Sequence, residues 1–496
     1  MDETFERLRA RLAEIQDLRR AAAILSWDQQ TMMPSEAAAG RAEQLATIGR
    51  MAHELFVADE TGRMLEELRG FEESHEPDSF DASLVRVTRR DWEKAVRVSP
   101  ELRAEMSRAA SQGFLEWKHA KEASDFASFV PTLERNLELK QRYLACFEKA
   151  EEDYDILLDD FERGMRTAEV RQIFDELKEE LVPLIAAARE RDGNGPLEGR
   201  FDVEGQRVLS HDVVEVFGFR PDAWRLDPTV HPFASGGGVN DIRITTHYEE
   251  GDLESLFATM HEYGHGLYEH QVDPALERTP LGSGVSLGLH ESQSRMWENL
   301  VGRGRPFWGF FYPRVQELFP DQLGSIELEA FYAAVNRVEP SLIRIHADEV
   351  TYNMHVILRF ELEQDMIGGK VDVRALPDEW NRRMDEYLGI AVPDDAHGVL
   401  QDVHWSGGAI GYFPTYTLGN VMSLQIWERV REDVPDLDER IERGEFGPLR
   451  DWLRERLHRH GRKFTPAETL ERVVGGPIET GPYLRYLKEK HGVPTA

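Results

Sequence analysis

The sequence predicts a mostly α-helical protein, folded as one large unit with a small β-sheet near its middle. Three observations point this way. Apolar residues recur at three- and four-residue spacing through most of the 496 residues, the mark of amphipathic helices. No Pro/Gly/Ser-rich linker, low-complexity tract or internal repeat divides the chain. One stretch, Ile242-Arg243-Ile244-Thr245-Thr246-His247-Tyr248, alternates with the period of a strand.

The elements follow in order. Residues 3–22 place Phe5, Leu8, Leu12, Ile15 and Leu18 at helical spacing. Ile24-Leu25-Ser26-Trp27-Asp28 and Met33-Pro34-Ser35 come next, with Ser35 the expected N-cap of a helix to about residue 54. Amphipathic segments cover roughly 58–72 and 80–97. Ser99-Pro100 opens another helix, Ser as N-cap and Pro at the first helical position, running to about 122. Residues 129–149 and 167–192 are also helical in pattern. The acidic run Glu151-Glu152-Asp153, with Asp155, Asp159 and Asp160, reads as a solvated face. Asp192-Gly193-Asn194-Gly195-Pro196 is a breaker.

Beyond it, Thr229-Val230-His231-Pro232-Phe233, the run Gly236-Gly237-Gly238 and the alternating stretch predict a small sheet or hairpin. Its strand either offers an edge to an extended peptide or packs under the following helix. That helix spans about 252–271, with Asp252 the expected N-cap. Gly264 and Gly266 each cost it about 1 kcal/mol relative to Ala, so backbone or substrate is expected to approach closely there. After Thr279-Pro280-Leu281-Gly282-Ser283-Gly284, a second helix begins near Ser286. Residues 306–490 are mainly helical except for a Gly/aromatic stretch, 398–419. One catalytic domain, 1–496, is expected, with a helical part to about 195, a middle part to about 420 and C-terminal helices.

Charge narrows the function. The net charge of −33 opposes binding to nucleic acid. The 59 cations divide into 10 Lys and 49 Arg, so either salt adaptation or a GC-rich genome shapes the surface. No apolar run reaches a membrane span, and MDETFERLRARL lacks the features of a signal peptide. Cys146 is the single cysteine, which excludes an intrachain disulfide and a Cys-based metal site. These features fit a reducing cytoplasm.

The chemistry centres on His261-Glu262-Tyr263-Gly264-His265, an HExxH pattern inside a helix. Residues four apart share a helix face, so His261 and His265 can point at one metal ion while Glu262 serves a bound water as base. Catalytic zinc takes three protein ligands. The same-helix extension fails, because its Gly and His positions hold Tyr268 and Gln271. Glu291, in His290-Glu291-Ser292-Gln293, lies 26 residues after His265 and early in the next helix. His290 is its rival, pointing about 100° away; Glu291 is favoured because His2Glu is a catalytic set. Glu298, two turns on, is a candidate partner for a ligating histidine.

Six motifs now stand in order: His231-Pro232-Phe233, Asp241-Ile242-Arg243-Ile244-Thr245, the HExxH, His290-Glu291-Ser292-Gln293, Ile343-Arg344-Ile345-His346-Ala347-Asp348, and Gly398-Val399-Leu400-Gln401-Asp402-Val403-His404-Trp405. With Trp27-Asp28 and Met33-Pro34, they make the sequence resemble the M32 family of metallocarboxypeptidases, the thermostable carboxypeptidase Taq type. The resemblance implies a helical, neurolysin-like zincin with a long groove and the sheet beside it, usually a homodimer. It implies removal of single residues from peptide C-termini with broad specificity, on zinc that cobalt can replace. By motif match His261, His265 and Glu291 are ligands and Glu262 the base.

Two further roles need residues. An oxyanion needs a donor, and Tyr412 and Tyr416, with His404 near them in sequence, are the candidates against plain core packing. A terminal carboxylate needs a fixed cation, for which Arg243 and Arg344 are candidates. The alternative for each is a structural ion pair, for instance Arg344 with Asp348. Asp241, Asp348 and Asp402 are expected to orient neighbours. Two other functions compete: a zinc oligoendopeptidase, and a helical binding protein with a vestigial site.

Overall fold

The computed structural model describes residues 2–191, 197 and 199–492; the break expected at 192–196 lies outside them. Among the described residues helices dominate, with one three-stranded sheet. Two compact units can be separated: Met1–Val96, Gly195–Val335 and Ile426–Pro477 form the first, and Arg97–Asn194, Asn336–Gln425 and Ile478–Ala496 the second. No helix among the described residues is long and apolar enough to cross a membrane.

In the first unit the opening helix runs unbroken over Asp2–Thr31, through Trp27 and Asp28. Its Phe5, Leu8, Leu12 and Ile15 are buried with Phe56, Leu65, Leu68 and Leu84, as their spacing predicts. Ser35 does not cap a helix. It sits inside a 3-10 turn, Ser35–Ala37, and the helix Ala38–Val57 begins without a side-chain cap. The turn satisfies the Ala37 amide through the Pro34 carbonyl, so the serine oxygen is not needed there.

The sheet comprises β1 (Trp224–Pro228), β2 (Ala234–Gly238) and β3 (Asp241–Thr246), in the order β1-β3-β2. β1 pairs parallel and β2 antiparallel with β3. The alternating stretch is therefore the central strand. Both of its edges are already hydrogen-bonded, so the edges that an extended peptide would meet are those of β1 and β2.

Next comes α1 (Glu254–His270), which carries the HExxH. Leu253, not Asp252, holds the N-cap position, although Asp252 Oδ1 still accepts from the Glu254 amide at 3.0 Å. α2 (Leu287–Arg295) starts at Ser286, whose side chain accepts from the Leu289 amide as a cap should. It continues into a π-helical turn, Met296–Val301.

The two glycines of α1 have distinct neighbours. A Cβ on Gly266 would meet Trp224 and Ile242 of the sheet at 2.6 and 2.8 Å. On Gly264 it would meet Gln293 O at 2.5 Å and Ser294 Cα at 2.6 Å. The second clash is with backbone, which cannot rotate away. Gly264→Ala gains about 1 kcal/mol of helix propensity but overpacks at a cost of about 1–3 kcal/mol or more. The expected outcome is a lower unfolding temperature together with reduced metal retention, read by calorimetry and metal analysis.

In the second unit Ser99 caps the helix Pro100–Ala123, as its Ser-Pro pair predicts. α3 (Tyr352–Ile367) is buried on nearly every side. α4 (Pro414–Asp433) begins here and extends into residues of the first unit. α3 is unusual for what it buries: Tyr352, His355, Arg359 and Glu363, three or four residues apart, follow one stripe.

Candidate metal centre

His261 and His265 stand four residues apart on α1, and Glu291 stands on α2. The close approach at Gly264 lets the two helices bring these side chains together. The three ligand atoms lie within 4.8 Å of one another. Glu291 Oε2 is 3.7 Å from His261 Nε2 and 3.5 Å from His265 Nε2. A tetrahedral ion bound about 2.1 Å from each ligand sets its ligand atoms roughly 3.4 Å apart, so the spacing fits a small divalent cation.

The far sides of both imidazoles are anchored. His261 Nδ1 is 2.8 Å from Glu298 Oε2. His265 Nδ1 is 2.7 Å from His290 Nδ1, and His290 Nε2 is 3.1 Å from Glu269 Oε1. His290, the rival candidate, thus contacts His265 from outside the His261–His265–Glu291 cluster. Such outer contacts set the tautomer and leave Nε2 facing inward. Glu298 lies in the π-helical turn that follows α2.

Electrostatics agree with the geometry. Burial pushes Glu291 upward, but Arg295, His261 and His265 outweigh it and hold the carboxyl well below its ordinary range. Burial likewise opposes ionisation of Glu298, yet Arg295 and His261 bring it down to about 2. Burial lowers His265 to about 4, keeping its imidazole neutral and able to ligate. On His261 burial is outweighed by Glu291 and Glu298, which raise its pKa; a cation would take over the role of that proton.

Glu262 completes the set. It is 6 % exposed, and its Oε2 has no hydrogen-bond partner among the described residues. Burial raises its pKa to about 7. A buried carboxylate oxygen left unpaired is costly unless something absent from the protein chain completes it. A cation with its water meets that need, so the donor set fits a metal.

The other candidates fall in two places. Arg243, in the first unit, gives Nε and Nη2 to Asp241 at 2.8 and 3.1 Å and lies 4.4 Å over the Trp27 ring. Arg344, His404, Tyr412 and Tyr416 gather in the second unit. Arg344 is 6 % exposed and donates to Asp402 Oδ1 at 3.1 and 2.8 Å and to the Tyr352 hydroxyl at 2.7 Å. Its expected partner Asp348 instead accepts from the Val350, Thr351 and Glu339 amides. The pairing is with a residue 58 positions away because residues 344–346 form a short 3-10 turn rather than the helix that i,i+4 contact requires. His404 Nε2 lies 3.3 Å from Tyr416 Oη, and Arg344 sits 4.9 Å over the Tyr416 ring. Burial lowers His404 to about 4.

Several participants carry no sequence signal of their own. Glu269 and Arg295 are ordinary helix charges by pattern, and Arg359 is a fully buried cation that donates to Asp402 Oδ2 at 2.6 Å.

Comparison with known proteins gives consistent matches. The family model described as carboxypeptidase Taq (M32) metallopeptidase matches residues 7–491. Thermostable carboxypeptidase 1 of Thermus thermophilus is 41 % identical over 482 residues, covering 95 % of this chain and 94 % of that protein. Carboxypeptidase 1 of Bacillus subtilis is 37 % identical, covering 97 % and 96 %. The crystal structure of the M32 carboxypeptidase from Deinococcus radiodurans R1 superposes with a TM-score of 0.96 at 40 % identity, covering 99 % of both chains.

Proposed function

The chain belongs to the M32 family of metallocarboxypeptidases and is a peptide-hydrolysing metalloenzyme, and from that premise we propose that it is a zinc carboxypeptidase of broad specificity with Glu262 as general base. One observation carries this reading: two neutralisable imidazoles and a low-pKa carboxylate converge beside a buried carboxylate whose second oxygen is unpartnered.

His261, His265 and Glu291 would hold the ion. When bound, zinc supplies Lewis acidity toward the scissile carbonyl and acidifies water. Glu262 takes the proton of the attacking water and delivers it to the leaving amine nitrogen. The Tyr412 or Tyr416 hydroxyl, with His404 beside it, donates to the tetrahedral oxyanion. Arg243 or Arg344 is the proposed cation for the substrate's terminal carboxylate. Each already holds an aspartate, so the substrate would share a guanidinium. Cobalt is a proposed substitute for zinc, a homodimer the proposed assembly and the cytoplasm the proposed compartment.

The experiment compares two forms of one peptide. With a free C-terminus, mass spectrometry should show a ladder of single-residue losses. With an amidated C-terminus, cleavage should fall by about 10²-fold or more, because the neutral amide loses the charge-assisted hydrogen bonds that a guanidinium gives a carboxylate. Equal cleavage of both forms, with internal fragments, would establish an oligoendopeptidase instead.

A further inference from the structure

The His404–Tyr416 segment makes a sharp loop, and one buried carboxylate that none of the six motifs contains holds it at two points. Glu363, on α3, is fully buried. Its Oε1 accepts the Trp405 indole N–H at 2.8 Å. Its Oε2 accepts the Gly411 backbone N–H at 2.9 Å and the Tyr154 hydroxyl at 2.6 Å. Trp405 follows His404 directly and Gly411 precedes Tyr412. Gly411 has φ +95°, and a Cβ there would lie 2.8 Å from the Leu157 backbone; only glycine aims this amide at Glu363 without strain.

The same stripe of α3 reaches the loop's start. Arg359, one turn before Glu363, holds Asp402, and Tyr352 bonds Arg344, the other partner of Asp402. Burial pushes Glu363 up to about 7, against the pull of Tyr154, Gly411, Trp405 and Lys140. A carboxylate is kept there although a neutral apolar side chain would avoid the desolvation. Its two oxygens do what no neutral side chain of that size does: they accept from two N–H donors on opposite sides.

We propose that Glu363 is a positioning residue, fixing the loop that carries His404, Tyr412 and Tyr416 so that the Tyr416 hydroxyl meets the oxyanion. The inference rests on the proposed role of Tyr416.

The test is a double-mutant cycle on the metal-loaded enzyme. Glu363→Gln keeps the shape but turns an N–H donor toward Trp405 or Gly411. With Tyr416 intact, kcat should fall about tenfold, with KM and metal content unchanged. In a Tyr416→Phe background the same change should alter kcat by less than about twofold, because the group being positioned is gone. Losses that multiply across the two backgrounds, or a fall in metal content, overturn the inference and leave Glu363 a general stabiliser. A Tyr416→Phe enzyme with wild-type kcat overturns the reading of Tyr416 itself, and the inference with it. If Glu363→Gln does not fold, Tyr154→Phe removes one donor from the same oxygen. It should lower kcat about threefold in the wild-type background and not in Tyr416→Phe; equal effects in both backgrounds would overturn the inference.

Discussion

Glu262→Gln is expected to lower kcat/KM by about 10²–10⁴-fold, the usual range for removing a general base, with one metal ion per chain retained. The amide keeps the shape of the carboxylate and cannot accept a proton. Glu262 shares α1 with the two histidines but is one position round the helix from His261, so its loss leaves their spacing to Glu291 intact. Stability of the metal-free protein should not suffer. The carboxylate is buried, its Oε2 is unpartnered, and burial raises its pKa, so replacing it with a neutral group removes a desolvation cost. Activity and stability therefore move in opposite directions. A variant that lost metal along with activity would place Glu262 among the structural supports of the ion and sink its role as base. A variant that kept its activity would make the buried carboxylate incidental.

What the sequence discloses follows from how local each signal is. HExxH is local: two imidazoles four apart meet on any helix. Ser286 and Ser99 declare their helices because a cap acts over three residues. Glu291 was reachable because the helix bearing it begins with a visible cap. The place of His290 is not legible locally, because its contact is with His265 across two helices, 25 residues away. Glu363 was invisible for the same reason. Its donors lie 209, 42 and 48 residues off, on three different elements. α3 hides itself further. It is buried nearly all round, so its polar stripe breaks the apolar periodicity by which a half-exposed helix is recognised. The alternating strand was read correctly as a strand, but nothing in a single strand says that both of its edges are taken.

Three carboxylates surround the two histidines, and metal retention should separate them. Glu291→Gln is expected to lose the ion. A structural zinc site is worth about 10–16 kcal/mol over four ligands, or about 2.5–4 kcal/mol per ligand, which is about 10²–10³-fold in affinity. The amide also lacks the charge that Arg295, His261 and His265 stabilise. Arg295 would not be stranded, since its Nη1 still reaches Glu298 at 3.1 Å, so the protein should fold and bind poorly rather than unfold. Glu298→Gln touches the far side of His261 instead. Losing such an outer contact costs about 10–100-fold, a partial loss that excess zinc would restore. Dialysis against a graded chelator, with metal per chain measured at each step, then gives an order: wild type and Glu262→Gln retain the ion longest, Glu298→Gln releases it earlier, and Glu291→Gln earliest. If Glu298→Gln released metal before Glu291→Gln, the third ligand would be Glu298, presented from the π-helical turn rather than from α2.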